Sequence, residues 1–88
     1  MKVTVSSECV KRMFTSFSDR EASVIAALAE GRTIKQVAGY LDRSHVTVAI
    51  QARTALKKTP YATLNSFLPL VIITCGSVDH ENSAAAVR

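Results

Sequence analysis

Residues 17–59 read FSDREASVIAALAEGRTIKQVAGYLDRSHVTVAIQARTALKKT, and spacing alone picks out three helix starts in that stretch. Ser18 and Glu21 stand three apart, as in a capping box: the hydroxyl accepts from the amide of the third helical residue, and the glutamate reaches back to the amide of the cap. Asp19 beside them suits the positive end of a helix dipole. The helix they open presents Val24, Ile25 and Leu28 on one face and should stop near Gly31. Thr33 and Gln36 repeat the box before Ile34, Val37, Ala38 and Leu41. Asp42-Arg43-Ser44 is a short polar break, Ser44 can cap a third helix running to about Lys58, and Pro60 ends it. Two helices joined by about three residues suit a helix-turn-helix.

The third helix has two unlike faces. At 100° per residue, Val48, Ala52, Ala55 and Thr59 share a narrow arc that should meet the core, while Val46, Ile50, Arg53 and Lys57 share the opposite one. Valine and isoleucine beside arginine and lysine suit a major-groove reader. The apolar pair can touch thymine methyls, and Arg53 can fork onto guanine O6 and N7. Lys57 and Lys58 would reach phosphates, with Lys35, Ser44, His45 and Thr47 as further phosphate contacts. The competing reading packs Val46 and Ile50 against an N-terminal helix.

Charge points the same way. Residues 31–58 hold six basic residues (Arg32, Lys35, Arg43, Arg53, Lys57, Lys58) against one acid, Asp42, in a chain of 88 residues with a net charge of +4. Positive charge concentrated in this way fits a phosphate-rich partner. A plain solvated basic surface is the alternative on charge alone. The length allows one compact domain with a modest core, which makes dimerisation an economical source of further buried area.

Residues 18–48, through Ser18-Asp19-Arg20-Glu21, Val24-Ile25, Leu28-Ala29-Glu30-Gly31, Thr33, Lys35-Gln36-Val37-Ala38, Leu41, Ser44 and Thr47-Val48, resemble the LuxR/GerE-type DNA-binding domain. Leu41-Asp42-Arg43-Ser44, with Gln51, Ala55 and Lys57-Lys58, is most similar to its RcsB-like branch. The resemblance implies an all-α, small tetrahelical helix-turn-helix domain, with a short N-terminal extension helix added in this chain. It implies that the third helix enters the major groove of double-stranded DNA with Ala49, Ile50 and Arg53 at the bases. It also implies a fourth helix forming a homodimer contact, which falls here on Leu64, Phe67, Leu68 and Val71. Two departures stand out: Ala49 replaces the usual lysine, and Thr59-Pro60 replaces the usual Leu-Gly.

The flanks are less regular. The extension, residues 1–16, leads into a helical pattern of Val10, Met13, Phe14 and Phe17, expected as a lid on the core or a linker. The domain itself spans residues 17–75. Pro69 falls where the fourth helix should have its interior, so that helix should be kinked, shortened or restarted there. Leu70 to Ile73 are expected to be buried in the core or between subunits, and Val71 to Thr74 read equally as a strand. Residues 76–88 read as a flexible tail.

Other chemistry finds little support. Cys9 and Cys75 have no partners at metal-ligand spacing, so no metal or other cofactor is expected. A disulfide is open in principle, but the start has no apolar signal segment, and a cytoplasmic protein with reduced thiols is the default. The longest apolar run, residues 67–73, is far too short to span a membrane. His45 and His80 lack local carboxylate or cysteine partners, so no catalytic residue is expected. The chain should thus be a sequence-specific transcription regulator, working constitutively or as a fragment of a longer one, since only 16 residues precede the helix-turn-helix. A protein-interaction module that heterodimerises with a full-length LuxR-type regulator is the alternative.

Overall fold

The computed structural model describes residues 2–79. The fold is mostly helical. Strand β1 (Lys2–Val5) leads to α1 (Ser7–Met13), α2 (Asp19–Ala29), α3 (Ile34–Leu41), α4 (His45–Lys57) and α5 (Leu64–Cys75), and β2 (Gly76–Asp79) closes the order. The two strands pair antiparallel, with Val3 opposite Val78 and Val5 opposite Gly76. They correct the all-α expectation, and residues 76–79 are a strand rather than tail. Residues 80–88 of that expected tail lie outside the described residues. No helix among the described residues is long and apolar enough to cross a membrane.

The helix boundaries follow from their caps. Both capping boxes close: the Glu21 amide donates to Ser18 Oγ (3.1 Å) and the Ser18 amide to Glu21 Oε1 (2.8 Å), with matching bonds between Thr33 and Gln36. Ser44 caps α4 by accepting from the Thr47 amide. The break before it is tight because Asp42 turns left-handed (φ 55°), which lets the Arg43 amide donate back to the Ala38 carbonyl at 2.9 Å. Gly31 (φ 96°) supplies the corresponding turn after α2, at a conformation that favours glycine.

Helix α2 is the hub. Its alanines keep it slim enough to be covered on both sides, and eight of its eleven residues are buried. Ala22, Ile25, Ala26 and Ala29 join Val5, Val10, Phe17, Phe67 and Val71 in one cluster. Val24, Ala27 and Leu28 join Val37, Ala38, Val48 and Ala52 in another. The first cluster is stiffened by aromatic contacts, with Phe14 5.2 Å from Phe17 and 5.5 Å from Phe67 between ring centroids. The N-terminal helix therefore supplies core residues, Val10 being wholly buried.

Helix α5 runs unbroken through Pro69. Pro69 is exposed and lies at the sixth position of the helix, so the hydrogen bond it deletes would have gone to the carbonyl of Asn65, itself an exposed residue. Helix also replaces the strand that Val71 to Thr74 left open. Of the apolar run after the proline, Val71 is wholly buried, whereas Ile72 and Ile73 are 37% and 82% exposed. The run is thus split by helical periodicity rather than buried as a block.

Candidate nucleic-acid interface

Helix α4 packs on α2 and α3 through Val48, Ala52 and Ala55, all buried. Small side chains on this arc bring the helix close to α2 and fix its rotation about its own axis. Rotation then dictates what faces outward: Val46 is 65% and Ile50 53% exposed, and Arg53 and Lys57 are exposed on the same arc. The competing reading, in which Val46 and Ile50 pack on the N-terminal helix, is therefore overturned. Arg53 and Lys57 carry no ion pair among the described residues.

Arg53 stands at the rim of a shallow groove of about 340 Å³, lined also by Ile34, Ala49, Ala52, Leu56 and Leu64. Ala49, half-buried, is in this groove and presents less to the outside than its neighbour Ile50. His45 and Thr47 lie exposed in the first turn of α4, and Lys35 is exposed on α3. The Ser44 hydroxyl is already engaged, accepting from the Thr47 amide at 3.0 Å and donating to Thr47 Oγ1 at 2.7 Å. The start of α4 is held to α2 by Arg43, whose guanidinium donates to Gln51 Oε1 (3.1 Å) and to the Arg20 carbonyl (3.5 Å).

Lys58, expected at phosphates, makes bonds within the chain. Its ammonium donates to Glu21 Oε1 at 2.7 Å and to the Ser16 carbonyl at 3.0 Å, tying the end of α4 to the start of α2. Glu21 is 6% exposed. Burial pushes its carboxyl up, but the Lys58 ammonium and the Ser18 amide together outweigh burial and leave it below the ordinary glutamate value. Two of the three N–H donors of Lys58 are thus engaged within the chain, which gives this lysine a structural role beside the phosphate contact expected of it. The pair spans 37 residues, which is why no local pattern announces it.

The four residues assigned to a dimer contact separate as well. Phe67 and Val71 are both wholly buried within the subunit, because they fill the cluster between α1, α2 and α5. Leu64 and Leu68 are half-buried and pack against both clusters. The outward side of α5 is instead Asn65, Pro69, Ile72 and Ile73, which follow helical spacing from one another.

Cys9 and Cys75 are joined in a disulfide, with Cα atoms 5.8 Å apart, in place of the reduced thiols expected. A second polar cluster escaped sequence reading: Glu30 accepts from the Val5 amide (2.9 Å) and from Arg32 (3.3 Å), and Arg32 lies 4.3 Å over the Tyr40 ring. Comparisons with protein-family models, with curated proteins and with solved structures gave no match.

Proposed function

We propose that the protein is a sequence-specific regulator of transcription that binds double-stranded DNA through a helix-turn-helix formed by α3 and α4, with α4 in the major groove. The single observation that carries this reading is the outward arc of α4, where Val46 and Ile50 are exposed beside Arg53 and Lys57, which carry no ion pair among the described residues. Burying water-exposed isoleucine and valine against thymine methyls gives them a use that solvent does not, and Arg53 has the fork geometry for guanine. At thirteen residues α4 is about 20 Å long, enough to follow a stretch of groove. Lys35, His45, Thr47 and Lys57, all exposed, would supply contacts to the phosphates that flank the groove. Two copies, meeting through the outward side of α5, would read two half-sites about one helical turn apart.

The test starts from selection of bound sequences out of random oligonucleotides by the purified chain, which should return a two-fold symmetric site. On that site Arg53→Ala should weaken binding by about 1–3 kcal/mol and relax preference at one base pair. Equal affinity and equal preference in the variant would remove Arg53 from base reading. A second reading has one specific observation in its favour. Exposed Ile72 and Ile73 on α5 also suit a chain that pairs with another LuxR-type regulator to modulate it. A DNA binder loses affinity steeply as salt rises, whereas an apolar heterodimer does not, and a titration in salt separates the two.

A further inference from the structure

The two ends of the described chain meet at one covalent bond. Cys9, in α1, is joined to Cys75, the last residue of α5, across 66 residues of sequence. Around this bond lie the elements least able to stand alone. Strands β1 and β2 have four residues each and, among the described residues, pair as strands only with one another. Such a ribbon is marginal in water, and a helix of seven residues such as α1 is too short to persist unaided. The cluster between α2, α3 and α4, by contrast, draws no buried residue from α1, β1 or β2.

From this division we propose that Cys9–Cys75 is a redox latch that controls the order of the terminal layer, β1, α1 and β2, while the cluster between α2, α3 and α4 stays intact. The inference does not rest on DNA binding. In the closing step a small-molecule disulfide accepts two electrons from the two cysteines and leaves as two thiols. The cysteines give up two protons, and the Cys9–Cys75 bond forms. In the opening step a dithiol attacks Cys9 Sγ, displaces Cys75 as thiolate, and then closes on itself to release Cys9. Attack falls on Cys9 because it is half-buried, whereas Cys75 is 9% exposed and has Met13 Sδ 3.3 Å from its sulfur. Opening frees α1 from the end of α5, and with it the strand pairing that begins at Val5 and Gly76.

Hydrogen exchange read by mass spectrometry on the full chain tests this, comparing the protein equilibrated with oxidised glutathione, the same protein reduced with dithiothreitol, and Cys9→Ser. Oxidised glutathione should remove two hydrogens from the mass and block both thiols to alkylation. Reduction and Cys9→Ser should each raise exchange in residues 2–13 and 72–79 by about tenfold or more, with α3 and α4 changed far less. The latch is overturned by thiols that stay alkylatable under excess oxidised glutathione, by equal exchange in all three samples, or by a rise spread evenly over the chain. Unfolding of Cys9→Ser as a whole overturns it too, because the bond is then a global staple. The reduced wild-type sample, which carries no substitution, checks that result.

Discussion

Glu21 does two jobs that only one of its neighbourhoods reveals. As the third residue of α2 it closes a capping box, and as a buried carboxylate it anchors Lys58 from the far end of α4. Its carboxyl is held below the ordinary glutamate value of 4.5 in the folded chain. A depressed folded value means that the unfolded chain binds the proton more tightly, so the contribution is complete above about pH 4.5 and is lost as pH falls through the lower folded value. Lys58→Met should remove the ammonium and leave the carboxylate buried with only its amide partner. A loss of about 1–3 kcal/mol at neutral pH is expected, moderated by the partial exposure of Lys58. In urea melts the variant should lose less stability than the wild type on going from pH 6 to pH 4; parallel pH profiles would show that the pair does not matter. Lys58 was legible as a basic residue but not as a structural one, because its partner lies 37 residues away.

At the scale of elements, two helices carry residues that weaken them without evident need. Gly39 lies inside α3, is exposed, and a Cβ built on it meets nothing within 4 Å. Gly39→Ala should therefore stabilise the fold by about 0.5–1 kcal/mol through backbone entropy alone. Pro69→Ala restores a hydrogen bond to Asn65 and relieves its carbonyl, so thermal melts should rise by the equivalent of about 1–3 kcal/mol, less the rigidity the proline gives the unfolded chain. A fall in melting temperature for either variant would mean that the residue serves packing not visible in one subunit. Gly76 is different in kind: a Cβ there would collide with the Ile72 carbonyl that caps α5, so this glycine is required by close approach. The starts of α2, α3 and α4 were legible to the residue because capping is local chemistry. Helix α5 was not, since its proline argued against a continuous helix while its buried residues Phe67, Val71 and Cys75 favoured one.

For the molecule as a whole, the placement of apolar surface decides how copies would associate. Phe67 and Val71 are spent on the subunit core, so a dimer through α5 must use Ile72 and Ile73 with Pro69 and Asn65. Ile73→Asp should then abolish self-association in sedimentation velocity while the circular dichroism spectrum and melting midpoint stay close to wild type. Persistence of a dimer in that variant would move the interface elsewhere. Phe67→Ala, in contrast, should cost about 3–5 kcal/mol by emptying the aromatic cluster, and would be read as unfolding rather than dissociation. The outward arc of α4 and the outward side of α5 are built from different residues, so under the proposed function the two variants Arg53→Ala and Ile73→Asp would separate base reading from pairing.

Sequence alone determined the three central helices, their caps, and the two faces of α4, because capping geometry and a period of 3.6 residues are properties of a segment and its own side chains. It marked Val48, Ala52, Ala55 and Thr59 as inward and Val46, Ile50, Arg53 and Lys57 as outward, and the packing agrees except at Thr59, which lies past the end of α4 and is half-buried. Only the tertiary structure decided that Lys58 belongs to Glu21, that Cys9 meets Cys75, that Lys2–Val5 pairs with Gly76–Asp79, and that Phe67 and Val71 are core rather than interface. Each of these is a contact between segments distant in sequence. Such contacts depend on how α1 and α5 close around α2, and no local pattern encodes that closure.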